Sequence, residues 1–112
     1  MVKVKRIYEQ KETSDGYRVL VDRLWPRGMT KEKAVYSEWL KDVAPSNDLR
    51  KWFDHKPERF NEFRERYTRE LSDNPEFDKL KDIVKSHHVV TLLYAARDEQ
   101  HNEAVLLQEF IG

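Results

Sequence analysis

Val89-Val90-Thr91-Leu92-Leu93-Tyr94 is a continuous apolar run relieved only by Thr91. A strand with one face in water alternates apolar and polar residues. A run without that alternation fits a strand covered on both faces, as inside a sheet that is at least partly parallel. After Ala95-Ala96 the chain turns abruptly polar, through Arg97-Asp98-Glu99-Gln100-His101-Asn102. In open α/β sheets, ligands bind in the loops that leave the carboxyl ends of the strands. The same break recurs once. Tyr17-Arg18-Val19-Leu20-Val21 alternates as a strand and then passes into Asp22-Arg23-Leu24-Trp25-Pro26-Arg27-Gly28. Two strand ends of matching chemistry predict one shared, arginine-containing cleft holding Arg23 and Arg97.

Around these two strands the rest of the chain reads as follows. Val2 to Tyr8 mixes β-branched and basic residues like a half-exposed strand, and Ser14-Asp15-Gly16 signals a turn. The link between the first two strands is short for a parallel crossover, which needs about a dozen residues or more. These strands are either antiparallel neighbours or not adjacent. Glu38 to Val43 reads as a short helix carrying Trp39 and Leu40. Ser46 can cap a helix presenting Leu49, Trp52 and Phe53, with Asp48 in its first turn. Pro57 suits the first position of the next helix, whose Phe60, Phe63, Tyr67 and Leu71 recur at helical spacing. Asn74-Pro75 opens another, with Phe77, Leu80, Ile83 and Val84 inside, and Ser86-His87-His88 closes it. Asn102 can cap a final helix bearing Ala104, Leu106, Leu107, Phe110 and Ile111. The expected fold is α/β: a small, partly parallel sheet flanked by several helices, forming a single compact domain over residues 1–112.

Composition narrows the function classes. A chain of 112 residues is expected to bury roughly two-thirds of its unfolded surface, enough for a core without staples. Charged residues make up 38% of the sequence, yet Lys+Arg and Asp+Glu balance at 21 each. A neutral total provides no general field for nucleic acid or acidic membrane, so any anion binding rests on local geometry. Cysteine is absent, which excludes disulfides, thiolate nucleophiles and cysteine-type zinc sites. No signal-like or membrane-spanning stretch is present, and a cytoplasmic protein is expected. No serine lies in Gly-x-Ser-x-Gly, and three glycines cannot build a phosphate-cradling loop. The mixed charges of Glu62 to Glu70 describe a solvated helix face rather than a nucleic-acid surface.

The candidate chemistry sits in the two breaks. Arg23, Arg27 and Arg97 carry planar donor forks suited to phosphate or carboxylate. Pro26 and Gly28 restrict the loop that presents Arg27. Two readings of Asp22 and Asp98 are open: they orient these arginines for a ligand, or they merely pair with them to seal the loops. Asp98 and His101 are three residues apart, which allows a carboxylate to orient an imidazole for general acid–base work. Completion as a metal site by His55 or Asp22 lacks a diagnostic spacing, so no metal and no cofactor are expected. Trp25 either walls the pocket or fills the edge of the core, and Asn102 stands at the site as a helix cap.

Taken together, Val21–Gly28, Trp39–Ser46, Leu49–Phe53 and Val90–Asp98, followed by His101-Asn102 and an apolar helix, resemble the YeaO-like branch of domain-of-unknown-function family 488. The resemblance spans nearly the whole chain and implies a small bacterial cytoplasmic α/β protein. It implies no reaction. Longer relatives in the wider family carry cysteines near the last strand and helix, and this chain has none. The expected function is therefore a site for a small anionic molecule. Asp22, Arg23, Trp25, Arg27, Arg97 and Asn102 would bind it, and His101 with Asp98 would serve any catalytic step. The alternative is a non-enzymatic interaction module or homodimer anchored by Trp25 or Trp39. Nucleic acid and membrane are not expected partners.

Overall fold

In the computed structural model, which describes residues 1–111, Val90–Tyr94 lies inside a four-stranded sheet and every one of its residues is buried. The strands are β1 (Val2–Arg6), β2 (Tyr17–Leu20), β3 (Glu38–Trp39) and β4 (Val90–Tyr94), in spatial order β1-β4-β2-β3. All three pairings are parallel, so the sheet is parallel throughout rather than in part. The short link between β1 and β2 has a simple resolution: they are not neighbours, because β4 runs between them. In register, Val4 and Val19 flank Leu92 from its two sides.

The helices are α1 (Lys31–Ala34), α2 (Asn47–Phe53), α3 (Phe60–Ser72), α4 (Pro75–Ser86) and α5 (Glu103–Ile111). Their starts follow the caps read in the sequence. Ser46 Oγ accepts the Leu49 N–H, Asn74 Oδ1 the Glu76 N–H, and Asn102 Oδ1 the Val105 N–H. Pro57 opens a single 3-10 turn that runs directly into α3. The segment Glu38 to Val43 departs from expectation. Glu38–Trp39 is an edge strand on β2, and only Lys41–Val43 coils, as a 3-10 turn. Ser37 N–H and Leu40 N–H donate to Arg18 and Leu20 carbonyls, so sheet pairing overrides the weak helical propensity of a six-residue stretch.

Alternation along the strands divides the core between the two faces. Val19, Val21, Leu92 and Tyr94 pack with Leu49, Phe53, Phe63, Tyr67, Leu80 and Leu107 from the helices. Leu20 and Leu93 face the other way, onto Ile7, Ala34 and the Trp25, Tyr36 and Trp39 rings. Among the described residues the short α1 and the Trp25 loop help to cover that second face. Beneath the opposite end of the sheet, Arg18 is fully buried and donates to Asp15, Val35 and Ala34. Lys5 completes this ion cluster, with Nζ 3.2 Å from the Asp15 carboxylate. Burial works to raise the Asp15 pKa, and bonds from Glu12 N–H, Lys5 and Arg18 outweigh it and hold the group below its ordinary value. Among the described residues no helix is long and apolar enough to cross a membrane.

Candidate functional site

Because β2 and β4 are parallel neighbours, their carboxyl ends open side by side. Val21 N–H donates to the Leu93 carbonyl, and the next residue, Asp22, accepts the Ala95 N–H at 2.9 Å. This bond ties the two loops together where both chains leave the sheet. Above it lies a cavity of about 580 Å3, lined by both loops, by Ala44-Pro45, by α2 and by the start of α5. That volume lies within the range typical of small-molecule sites. Its walls are largely apolar, formed by Leu24, Trp25, Pro26, Phe53, Phe63 and Ala96.

All eight residues singled out in the sequence line this cavity, including both Arg23 and Arg97. Their roles differ. Arg23 Nε donates to the Pro45 carbonyl at 3.0 Å and Nη2 to the Ala44 carbonyl at 3.1 Å. Asp42 stands 3.5 Å from Nη1. Much of this guanidinium is thus engaged in holding the Ala44-Pro45 turn. Arg27 and Arg97 are exposed, and their side chains have no hydrogen-bond or ion-pair partner among the described residues. Trp25 Nε1 donates to the Met29 carbonyl, and its ring packs edge-on against Tyr36 and Trp39. Trp39 Nε1 donates to the Asp22 carbonyl. Both indoles are half-buried and internally bonded.

Neither aspartate pairs with Arg27 or Arg97. Asp98 Oδ1 accepts the Gln100 and His101 N–H groups, and Oδ2 lies 2.8 Å from His101 Nδ1. The Gln100 N–H, then the His101 side chain, hold the Asp98 carboxyl below its ordinary value. A proton on Nδ1 directed at Asp98 leaves Nε2 as the free ring nitrogen, while the edge of Phe60 packs against the ring at 5.0 Å. Asn102 is buried, and its amide is committed at both ends, to the Asp98 carbonyl and to the Val105 N–H. It therefore fixes the loop and starts α5.

Glu103 is the residue that sequence reasoning missed. Glutamate in the first turn of a helix reads as an ordinary partner of the helix dipole. Here the fold turns it inward, half-buried at the cavity that Asp22 also lines. Burial, then the charge of Asp22, then hydrogen bonding with the Asp22 side chain push the Glu103 pKa well above its ordinary value. The Glu103 carboxyl is thereby biased towards its protonated form. Tyr67 lies beneath, fully buried, donating to the Val43 carbonyl at 2.6 Å. Arg50 and His55 also reach the cavity, and α2 carries Arg50 to the wall because Ser46 fixes where that helix begins. Among the described residues no group of three His, Asp or Glu side chains is arranged to hold a metal ion.

A family model described as "Inactive DUF488-N3 subclade" matches residues 1–112. The chain is 43% identical over 111 residues to an uncharacterized protein of Mycobacterium tuberculosis (strain ATCC 25618 / H37Rv), covering 99% of this chain and 93% of the relative. It is 42% identical over 111 residues to uncharacterized protein YeaO of Escherichia coli (strain K12), covering 98% and 96% respectively. No solved structure matches. With a family model aligned from end to end and relatives matching over nearly their whole length, the chain belongs to the DUF488 family, in its N3 subclade.

Proposed function

We propose that this protein binds a small carboxylate- or phosphate-bearing molecule in the cavity at the ends of β2 and β4, and binds it without chemical conversion. The observation that carries this reading is the state of Arg27 and Arg97. Two guanidinium groups stand at an apolar-walled cavity with no partner anion among the described residues. With the Glu103 carboxyl biased towards its neutral form, the four arginines at the cavity outnumber the aspartates Asp22 and Asp98, so its balance is cationic although the whole chain is neutral. Apolar walls lower the local dielectric and strengthen each ionic hydrogen bond made inside. Binding without turnover also accords with the description of the matching family model as inactive.

Calorimetric titration at modest salt with inorganic phosphate and with 3-phenylpropionate tests this. Each arginine bond to an anion contributes about 1.5–3 kcal/mol, so Arg97→Ala weakens binding roughly tenfold to a hundredfold. Binding that is absent in the wild type, or unchanged in an Arg27→Ala, Arg97→Ala double variant, refutes the reading.

The 2.8 Å contact between Asp98 and His101 favours a second reading, in which the oriented imidazole moves a proton on the bound molecule. It predicts a chemically altered ligand after prolonged incubation, visible by NMR and lost in His101→Gln. An unaltered ligand leaves simple binding as the function.

A further inference from the structure

The cavity lining carries both signs of charge. Arg27 and Arg97 have no partner among the described residues, and Asp22 and Glu103 bring carboxyls to the same cavity. The rest of the wall is largely aromatic and aliphatic, with Phe53 and Phe63 stacked at 4.3 Å. Asp22 Oδ2 accepts the Ala95 N–H, which holds this carboxyl where the two loops meet, and Glu103 stands in the first turn of α5.

Resting on the anion site proposed above, we infer that the Asp22–Glu103 pair receives an ammonium group, and that the ligand is a zwitterion of the amino-acid type. Its carboxylate meets Arg27 and Arg97, its apolar body lies along Phe53 and Phe63, and its ammonium sits on the paired carboxyls. An ammonium brings three donors, which the pair accepts best when both carboxyls are ionised. On binding, the proton held by Glu103 leaves to solvent, and the ligand keeps its own. One proton is released for each ligand bound to the protonated form, and no covalent bond changes. Affinity therefore rises about tenfold per pH unit while Glu103 remains protonated in the free protein. The charged and titratable groups around the pair are Arg23 beside Asp22, Tyr67 and Glu70 from α3, and Asp98 and His101 from the loop before α5. Because these groups contribute to any pH profile, the origin of the released proton has to be read from a variant of the pair itself.

The test is calorimetry at about pH 6, where ordinary carboxyls are ionised, in buffers of different ionisation enthalpy. The probes are L-phenylalanine and 6-aminohexanoate, two spacings of the same charges, each beside its single-charge counterparts. Those are 3-phenylpropionate and phenethylamine for the first, and hexanoate and hexylamine for the second. At least one zwitterion is expected to bind ten or more times tighter than both of its counterparts and to release about one proton. In Glu103→Gln the release falls to zero. In the Asp22→Asn, Glu103→Gln double variant the preference over the plain carboxylate disappears. The wild-type proton count needs no variant, so it stands even where a variant folds poorly. Tighter binding of phosphate or the plain carboxylates, or zwitterion binding without proton release, overturns the inference. If that anion binding still depends on Arg97, the anion site survives. Amines that bind as well as zwitterions with no dependence on Arg97, or no binding by any probe, overturn both.

Discussion

Replacing Glu103 by glutamine should stabilise the protein, increasingly so as pH rises. Glutamine keeps the length of the side chain and can donate to Asp22, so the packing at the start of α5 is preserved. What it removes is a carboxyl whose pKa burial and Asp22 push well above the ordinary range. The folded state retains that proton after the unfolded chain, with a glutamate pKa near 4.3, has lost it. Folding then takes up a proton, and stability falls as pH rises above the unfolded value. The slope approaches about 1.4 kcal/mol per pH unit while the folded carboxyl stays protonated. The variant lacks this decline. The stability difference should therefore be near zero at about pH 4 and open at up to about 1.4 kcal/mol per unit above it. For a domain of this size each kcal/mol is worth about 4–8 °C in Tm. Urea denaturation of both proteins from about pH 4 to pH 8, with the same slope m, measures the difference directly. Parallel stability curves across that window would refute a raised Glu103 pKa in the folded state.

Three further outcomes follow from the geometry. Arg18→Met leaves the buried Asp15 carboxylate with Lys5 and the Glu12 N–H and should cost about 3–5 kcal/mol in denaturant melts, whereas removing Arg64 from its exposed pair with Glu109 should cost under about 1 kcal/mol. Gly16→Ala places a Cβ 2.3 Å from the Val89 carbonyl oxygen at a φ of +64°, against the bond that starts the β2–β4 pairing, and should cost more than about 3 kcal/mol; a loss under about 1 kcal/mol contradicts the close approach. The Asp98 carboxyl, bonded by Gln100 N–H and His101, should titrate by NMR below the ordinary aspartate midpoint. Its stabilising contribution is present above the unfolded value and lost as pH falls through the folded one; a midpoint at or above the usual value contradicts the loop geometry.

The sequence carries the frame of this fold wherever one physical signal dominates. The unbroken apolar run of β4 announces an interior strand, and Ser46, Asn74 and Asn102 mark helix starts because their side chains can accept orphan N–H groups. Glu38–Trp39 escapes such reading, since two residues have no period and become a strand only through tertiary pairing with Val19 and Leu20. That the two strand ends meet at one cavity was legible from their matching chemistry. The partners within it were not. Arg23 is taken up by the Ala44 and Pro45 carbonyls and Asp98 by its own loop, choices fixed by distances no spacing encodes. Glu103 was invisible for the same reason: only the packing of α5 beside the β2 loop turns it from a helix-start residue into the partner of Asp22.

The central claim is that the cavity above β2 and β4 receives an anion through arginines. Backbone amide shifts of isotope-labelled protein, recorded while inorganic phosphate and then 3-phenylpropionate are added at constant ionic strength, test it most directly. Saturable shifts are expected at Arg23, Leu24, Arg27, Ala96, Arg97 and Asp98, and their loss in the Arg27→Ala, Arg97→Ala variant. Shifts that never saturate, or that scatter over the lysines of α4 and the outer face of α3 while the cavity stays silent, would contradict it.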